Sequence, residues 1–428
     1  MNSADIQKCI EAGLARRHAA EMRFRWYGRA ALAFAALMLG VLLVTIARPG
    51  LGGFTRHELV LRVELPSVLG PLRADPQGVD FYAVTQQALL ASIPDAPQDR
   101  DARHQLYALA GFFAADDVKR ALLKTAHAPT LVTPGFMEVR VPLSDIADLT
   151  LKGKIDRDAP AAQRPITDAQ LHWLDEWRSQ DLTRSALNRD FFTRGDSRSP
   201  EAAGFLGSII GSLMLLAVCM MIALPVALLA AIFLEEFAPK NRFTDALEIL
   251  INNLAAVPSI LYGLLGLSVF LQWSGLPRSS PLVGGFTISL LILPVLIIAS
   301  RAAIRAVPPS MRLAALALGA SRLQATRHHV LPYALPGILT GTILSVCRAI
   351  GETAPLLMIG MVAFVADLPR TPLDPATAMP VQIYLWASSP ELGYLEKTSA
   401  GILVLLAILL LLNSVAITLR RRTQKVWN

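Results

Sequence analysis

Two charged residues, Arg348 and Glu352, lie in an otherwise apolar stretch, Pro336–Met361. A charge at the centre of a bilayer costs about 2.5–3.5 kcal/mol on insertion scales. Four residues apart, the two share one helical face, so they could neutralise each other and simply let the helix insert. Alternatively, both face a polar pathway, where the planar guanidinium of Arg348 could bind two oxygens of an oxyanion. The spacing predicts an ion pair and leaves both roles open.

The sequence lacks the signatures of several other chemistries. Its three cysteines, Cys9, Cys219 and Cys347, form no C-x-x-C pair, so neither a zinc site nor a disulfide framework is predicted. It also contains no G-x-x-x-x-G-K-[ST] string, so it has no nucleotide-binding loop of its own. We therefore expect no catalytic residues, no metal site and no cofactor bound by this chain.

The composition indicates which elements carry the charged pair. Of the 428 residues, 53% are hydrophobic and 17% are charged, whereas soluble domains typically have about 25% charged residues. The net charge is +7, but residues 48–201 hold 19 basic and 21 acidic side chains, so the excess of basic residues lies beside the apolar runs. This pattern favours a membrane protein over a cytosolic enzyme or a nucleic-acid-binding protein.

Six stretches approach the length needed to cross a bilayer, which takes about 20 apolar residues. One is isolated near the N-terminus and five are clustered: Ala30–Ala47, Phe205–Leu234, Leu250–Leu271, Leu282–Ser300, Leu335–Val365 and Ala400–Leu419. The first could instead be a cleaved secretory signal, although its apolar run and preceding tail are long for one. Gly337-x-x-x-Gly341 provides a small-residue face that could pack within the chain or between subunits.

The distribution of lysine and arginine in the short flanks orients the spans. With the N-terminus inside, the cytoplasmic flanks hold 17 basic residues and the opposite short loops hold three. Both termini are therefore predicted to be cytoplasmic. The predicted segments are a cytoplasmic tail (1–29), a first transmembrane helix (30–47), an extracytoplasmic domain (48–203) and a membrane core (204–428).

The segment 48–203 is long enough for an independent domain. Alternating apolar and polar residues predict strands at Leu59–Leu65 and Thr133–Leu143. Helices are predicted at Phe81–Leu90, Arg103–Phe113 and Asp168–Leu187, the last with Thr167 as its N-cap. The sequence thus predicts a mixed α+β domain between the first and second spans.

The cytoplasmic segment 301–334, between the fourth and fifth spans, is unusually long. Met311–Ala325 is rich in Ala and Leu with Gly319 inside it, and Leu331-Pro332 follows. The segment predicts a helix, a turn and a second short helix on the cytoplasmic face. It could lie in the membrane interface as an amphipathic helix, or it could dock on a cytoplasmic partner.

Several of these stretches resemble the permeases of ABC importers. The run from Leu313 to Ala320, with the Leu331-Pro332 that follows, is similar to the cytoplasmic EAA loop that inserts into a cleft of the partner ATPase. Three further motifs resemble the PstA-type permeases of phosphate importers: Phe233-Leu234-Glu235-Glu236-Phe237, the stretch Asn253–Gly263, and Arg348–Leu357 with its Gly-Glu-Thr-Ala-Pro string. The resemblance covers residues 204–420, and the large outer insert is similar to the extended N-terminal region of a subset of these permeases.

The resemblance implies an all-α polytopic membrane protein with six transmembrane helices in the ABC importer permease fold, carrying an inserted α+β extracytoplasmic domain. It implies that Arg348, Glu352 and Thr353 line the transport pathway. It also implies that Arg312, Ala314, Ala315, Gly319 and Pro332 take part in coupling to the ATPase. One departure is that Leu313 occupies the position of the motif's glutamate, so either a neighbour such as Arg312 replaces that charge or docking tolerates an apolar residue.

The function implied is that of a permease subunit, in the bacterial inner membrane, of an ATP-driven phosphate importer. The implied partners are a second homologous permease, a cytoplasmic ABC ATPase dimer that uses ATP and Mg, a periplasmic phosphate-binding protein and membrane lipid, with no nucleic acid. Alternatives are import of another oxyanion (molybdate, sulfate or phosphonate) and, in other classes, a membrane-anchored sensor or a secondary transporter. A secondary transporter would usually show inverted repeats, and a sensor would need a cytoplasmic output domain.

Overall fold

The computed structural model describes residues 3–65, 68, 72, 75, 78–126 and 135–424. Its N-terminal part contains helices α1–α7, which are Ser3–Gly53, Phe81–Ala91, Arg100–Tyr107, Ala114–Ala126, Asp145–Leu151, Asp168–Ser179 and Arg189–Thr193. Strands β1–β3 are Thr55–Glu64, Phe136–Pro142 and Thr183–Leu187. The remaining helices, α8–α17, are Leu206–Ile232, Arg242–Ala255, Ser259–Gly266, Pro281–Arg305, Pro309–Ala317, Arg322–Ala325, Leu331–Gly351, Ala354–Met358, Met379–Ala387 and Gly393–Gln424.

The three strands form an antiparallel sheet in the order β2-β1-β3. Leu61 lies opposite Val139, and Leu59 lies opposite Thr183. Leu59 and Leu61 are fully buried, together with Trp177 of α6, because the apolar side of the alternating strand faces the helices that cover the sheet. The predicted α+β character of this segment is confirmed.

Local boundaries in this domain differ from the predicted ones. The predicted helix Asp168–Leu187 ends at Ser179, since Asp181 takes a positive φ of 55° and the chain turns back to pair β3 with β1. Its start is confirmed, because Thr167 forms a capping box with Gln170. The predicted helix Arg103–Phe113 ends at Tyr107 and is followed by α4. Of the predicted strand Thr133–Leu143, residues 133 and 134 lie outside the described residues, and β2 begins at Phe136.

The membrane core contains long apolar helices, as predicted. Among the described residues, five helices are long and apolar enough to cross a membrane, or six if the bent pair Arg242–Ala255 and Ser259–Gln272 is one span. The first of these was predicted to end at Ala47, but it continues through Pro49 to Gly53. In this extension, Gly50 and Gly53 pack directly against the backbone of α17. Gly337 and Gly341 pack on Ala303 and Ala299 of α11 within this chain.

Two predicted spans are not straight helices. The third, Leu250–Leu271, bends by 98° between α9 and α10, where Pro258 cannot continue the preceding helix. The fifth, Leu335–Val365, ends as a helix at Gly351, and Glu352 is extended with ψ of 125°. The chain then forms the short helix α15 and turns at Gly360, whose φ is +90°. Apolar length predicted these spans but gave no information on where they break.

A largely buried lysine, Lys152, joins the inserted domain to the membrane core. The Nζ atom of Lys152, just after α5, donates to the carbonyl oxygens of Gly52 (2.9 Å) and Thr55 (2.8 Å). It also lies 2.9 Å from Oε2 of Glu396 on α17 and 2.6 Å from Oδ2 of Asp148 on α5. Glu396 is buried, and Lys154 contacts its other oxygen. The domain is therefore held against both α1 and α17.

Asp148 is central to this junction, and the stability lost when its carboxylate is replaced should depend on pH. Burial alone would raise the pKa of Asp148, but the hydrogen bond from His57 and the charge of Lys152 together lower it. A carboxylate whose pKa is lowered in the folded protein stabilises the folded state at pH values above its pKa in the unfolded chain, about 3.9. This stabilisation is lost as the pH falls through the pKa of the folded state. We expect Asp148→Asn to cost about 1–3 kcal/mol at pH 7, since it leaves buried donors poorly paired.

Thermal unfolding of the purified protein in detergent would check this prediction. The loss in Tm relative to wild type should be present at pH 7 and should shrink as the pH is lowered below about 4. The exposed Asp95 provides a control, and Asp95→Asn should leave Tm unchanged. An Asp148→Asn deficit that stays constant across this pH range would contradict the assigned role of the carboxylate.

Candidate functional site

The predicted ion pair is present and lies at the break in the fifth span. Arg348 is in the last turn of α14, and its Nε atom is 3.3 Å from Oε1 of Glu352, the first residue after the helix. The side chain of Arg348 is 42% exposed and that of Glu352 17%. A cation in the last turn is favoured by the helix dipole. Because Arg348 makes a single contact with Glu352, most of its guanidinium donors face away from that carboxylate.

Helix packing gives the depth of the pair in the membrane core. The antiparallel contacts of Gly337 with Ala303 and of Gly341 with Ala299 set the register of α14 against α11. Continued at the same spacing, this register brings Arg348 level with Ile292, near the middle of α11 (Pro281–Arg305). By the same register α14 ends at Gly351 level with Ser289, before it reaches the start of its neighbour. Discontinuous helices at mid-height are a common way for transporters to build a polar site.

The bent third span packs directly on this break. A Cβ atom added at Gly263 of α10 would lie 2.7 Å from Cα of Pro355 and 2.8 Å from Cβ of Met358. Thr353, the third predicted pathway residue, is half-buried between the ion pair and α15, and its carbonyl oxygen accepts from the amide of Leu357 at 3.0 Å. The structure therefore brings Arg348, Glu352 and Thr353 together beside α10.

Residues 301–334 form the predicted helix, turn and second short helix. Helix α12 ends at Ala317, the chain turns at Gly319 with a φ of +87°, and α13 follows behind the capping residue Ser321. Ala314 and Gly319 are exposed, Ala315 is buried, and Pro332 is half-buried in the first turn of α14. The tip exposes a group of leucines: Leu313 (66%), Leu316 (40%), Leu318 (90%) and Leu323 (63%).

Arg312 points inward, away from this exposed tip. Its Nε atom donates to Oε1 of Glu236 at 2.9 Å, and its two terminal nitrogens donate to the carbonyl oxygens of Val307 (2.6 Å) and Ile304 (2.8 Å). Arg312 thus caps the C-terminal end of α11 and ties α12 to the end of α8. The suggestion that it replaces the motif glutamate in a contact with a partner does not agree with this internal role.

A second group of charges lies beside Arg312 and was not assigned a role from the sequence. Glu235, adjacent to Glu236 in a π-helical turn at Phe233–Phe237, accepts from Nε of Arg301 at 2.8 Å and from Arg305 at 2.9 Å. Arg301 also contacts Glu248 on α9. The motif Phe233–Phe237 contained the signal, since two glutamates directly follow an apolar span, but it was used only as evidence of resemblance.

The described residues contain no group of three or more His, Cys, Asp or Glu side chains arranged to hold a metal ion. The charged clusters of this chain pair carboxylates with arginine or lysine, as at Arg348 and Glu235. Such pairs can exchange partners with an anion or transmit a movement. They are not the ligand sets that bind transition metals.

Comparison with known proteins agrees with this architecture. Residues 223–425 match the family described as "Binding-protein-dependent transport system inner membrane component", and residues 11–161 match a "Domain of unknown function (DUF3333)". The "Phosphate transport system permease protein PstA" of Haemophilus influenzae is 32% identical over 228 residues, covering 53% of this chain and 79% of that protein. The protein of the same name from Pasteurella multocida is 30% identical over 228 residues, covering 53% and 80%.

The chain belongs to the PstA-type family of ABC importer permeases. It is therefore a multi-pass inner-membrane protein and a transport subunit. The resemblance inferred from the three sequence motifs is confirmed. Among solved structures, a chain of the inward-facing MetNI methionine ABC transporter matches with a TM-score of 0.40 and 16% identity, covering 51% of this chain and 94% of that chain.

The close approach of α10 to the break in this permease gives a stability prediction. Gly263→Ala adds a methyl group that must displace the backbone at Pro355, and overpacking of this kind costs about 1–3 kcal/mol. We expect a lower Tm in detergent for Gly263→Ala. Gly40→Ala on α1 is a matched control, because a Cβ atom there meets nothing within 4 Å. Equal Tm values for the two variants would show that α10 and α15 do not pack this closely.

Proposed function

We propose that this chain imports inorganic phosphate as one half of a translocation pathway, with Arg348 as its anion contact. The observation that carries the proposal is the half-exposed guanidinium of Arg348 at a helix break. It contacts one carboxylate, that of Glu352, through its Nε atom, so its other N–H groups could donate to an anion. The relatives named as phosphate transport permeases support the choice of phosphate. The shared chemistry is that of a tetrahedral oxyanion, so molybdate, sulfate and phosphonate are competing outcomes of the test below.

In this proposal Glu352 is a built-in competitor for Arg348. A pathway must hold an ion favourably enough for it to enter and weakly enough for it to leave. An arriving anion displaces Glu352 from the guanidinium, and the carboxylate, only one turn away, takes the arginine back when the anion moves on. The hydroxyl of Thr353 is the neutral donor next to this exchange.

The exposed leucine tip is the surface that we assign to the ATPase partner, which would bind and hydrolyse ATP with Mg. Leu313, in place of a motif glutamate, is exposed among other leucines, which suits an apolar cleft better than a charged one. Ala314 and Gly319 are small and exposed beside it, so a partner surface can approach their backbone. Ala315, Pro332 and Arg312 then hold the tip in place from within.

The remaining partners follow from the geometry of a half pathway. The five core spans would need a second, homologous permease to enclose an ion, and the exposed side of Arg348 would face it. The inserted domain, held against α1 and α17, would lie on the periplasmic side and contact a phosphate-binding protein or shield the pathway mouth. Both termini would then be cytoplasmic, in agreement with the 17 basic residues of the inner flanks.

Phosphate uptake tests the proposal. Cells that lack this chain should lose high-affinity uptake of labelled phosphate and regain it with the wild-type chain. An excess of unlabelled phosphate should compete fully, and molybdate or sulfate should not. Full competition by one of the other oxyanions instead would keep the permease role and reassign its substrate.

Substitutions of Arg348 and Glu352 distinguish two hypotheses: that the pair binds the transported anion, or that it only helps the helix to insert into the membrane. We expect Arg348→Gln to abolish uptake and Arg348→Lys to restore it only in part, because lysine returns the charge without the planar fork. Glu352→Gln should slow release and reduce uptake, with assembly unchanged. If the pair serves insertion only, an Arg348→Leu/Glu352→Leu double variant should insert and transport normally. Wild-type uptake in that double variant would refute the pathway role.

The turn at Gly319 provides a test of coupling. Its φ of +87° is strained for any residue with a Cβ atom. A Cβ atom at this position would meet nothing within 4 Å, so a substitution would act through the backbone conformation and not through a steric clash. Left-handed backbone costs about 1–2 kcal/mol for most residues, and asparagine tolerates it best. We expect Gly319→Val to reorient the tip and uncouple ATP hydrolysis from uptake, and Gly319→Asn to retain most coupling. Equal coupling in the two variants would exclude this role for the turn.

A further inference from the structure

We propose that six charged side chains form a relay that transmits movement of the cytoplasmic helix α12 to the bent third span and from there to the Arg348–Glu352 pair. The residues of this arginine–glutamate relay are Arg312, Glu236, Glu235, Arg301, Arg305 and Glu248. The proposal rests on the proposed docking of α12 on an ATPase, and it adds how that contact reaches the middle of the membrane.

The first joint of the relay is Arg312. Its three contacts, to Glu236 and to the carbonyl oxygens of Val307 and Ile304, use both edges of the guanidinium. A displacement of α12 must therefore either carry the end of α11 and the turn at Glu236 with it or break charge-assisted hydrogen bonds. Such bonds are shorter and stronger than hydrogen bonds between neutral groups.

The second joint is the pair of adjacent glutamates. Because they are consecutive in a π-helical turn, their side chains project in different directions, Glu236 to α12 and Glu235 to α11. Single π-turns inside helices are rare and frequently mark functional sites. Glu235 is largely buried, and so are Glu236 and Arg301, which strengthens these contacts relative to surface ion pairs.

The third joint leads into the bent span. Arg301 contacts both Glu235 and Glu248, so α9 is linked to the same cluster, and Arg305 adds a contact to Glu235 from its exposed position. Across the 98° bend, the hydroxyl of Tyr262 donates to the carbonyl oxygen of Leu254 at 2.7 Å, which ties α10 to α9.

The last contact brings the relay to the charged pair. Gly263, next to Tyr262, packs against Pro355 without space for a methyl group, and Pro355 lies three residues after Glu352. A tilt of α10 therefore pushes α15 and changes the position of Glu352 relative to Arg348. The alternative is a static brace, in which the same charges only hold the inner ends of the helices together.

Movement of α10 can be measured without knowing the transported ion. The probe is Leu261→Cys, a half-exposed position on α10, and its rate of thiol labelling is read by mass spectrometry of the peptide. The sample is the complete detergent-purified complex with its copurified ATPase, compared without nucleotide and with a non-hydrolysable ATP analogue and Mg²⁺. We expect the nucleotide to change the labelling rate at least threefold.

Neutralising the relay should remove this response. Glu236→Gln and Glu248→Gln should each reduce the nucleotide-dependent change to less than 1.5-fold. Because the two residues act in series, the double variant should be no worse than either single one. Asp245→Asn is the matched control, since Asp245 is an exposed carboxylate on α9, the helix that carries Glu248. This variant should keep the full nucleotide-dependent change in labelling rate. If Glu236→Gln fails to assemble, Glu248→Gln, at the less buried end, provides the same test.

Three results would overturn the relay. The first is a full nucleotide response in Glu236→Gln or Glu248→Gln. The second is a double variant whose loss of response equals the sum of the two single losses, as expected if the two residues were independent braces. The third is a labelling rate that nucleotide does not change in the chain that carries only Leu261→Cys. Phosphate uptake by the wild-type complex is measured separately. Its absence would remove the proposed substrate, whereas the labelling response concerns only the mechanical link.

Discussion

Charged groups taken out of water must be paired, because an unpaired charge in a low-dielectric environment costs several kcal/mol. In this chain three such pairs lie where helices end, bend or meet another segment. Lys152 and Glu396 join the inserted domain to α17, Arg348 and Glu352 mark the end of α14, and Glu235 with Arg301 lies at the inner ends of α8 and α11. Apolar packing sets the register of helices such as α14 and α11, and the charge pairs add directional contacts at these points.

The two broken spans show the same principle for the backbone. Inside a membrane, an irregular segment is tolerated where protein covers its polar groups. At the bend of the third span, the hydroxyl of Tyr262 satisfies the carbonyl oxygen of Leu254, and Gly263 brings α10 close enough to cover α15. The two breaks therefore support each other. Neither would be stable against lipid alone, which is why they occur side by side.

These dependencies explain what could be predicted from the sequence. The membrane class, the strands at Leu59 and Met137, the N-cap at Thr167 and the turn at Gly319 all depend on residues close to one another in the chain, and each of these was predicted correctly. The family followed from short motifs around Glu235, Pro258 and Glu352. Pro258 gave a local signal for the break in the third span, whereas the packing of Gly263 on Pro355 could not be predicted, because it joins segments almost a hundred residues apart. The internal contact of Arg312 could not be predicted for the same reason, since its partner Glu236 lies 76 residues away.

The distribution of pairs also divides the permease into parts with different freedom to move. The inserted domain, α1 and α17 are joined by Lys152, Glu396 and the backbone contacts of Gly50 and Gly53, with most of these groups buried. Elsewhere, α9 and α12 are joined to the ends of α8 and α11 by the glutamate–arginine pairs of Glu235, Glu236, Glu248, Arg301 and Arg312. A displacement of α12 would therefore reach α9 through these pairs and would leave the contacts between α1 and α17 in place. The hydrogen bond from Tyr262 to Leu254 links α9 to α10 across the bend, and α10 packs on α15, next to Glu352.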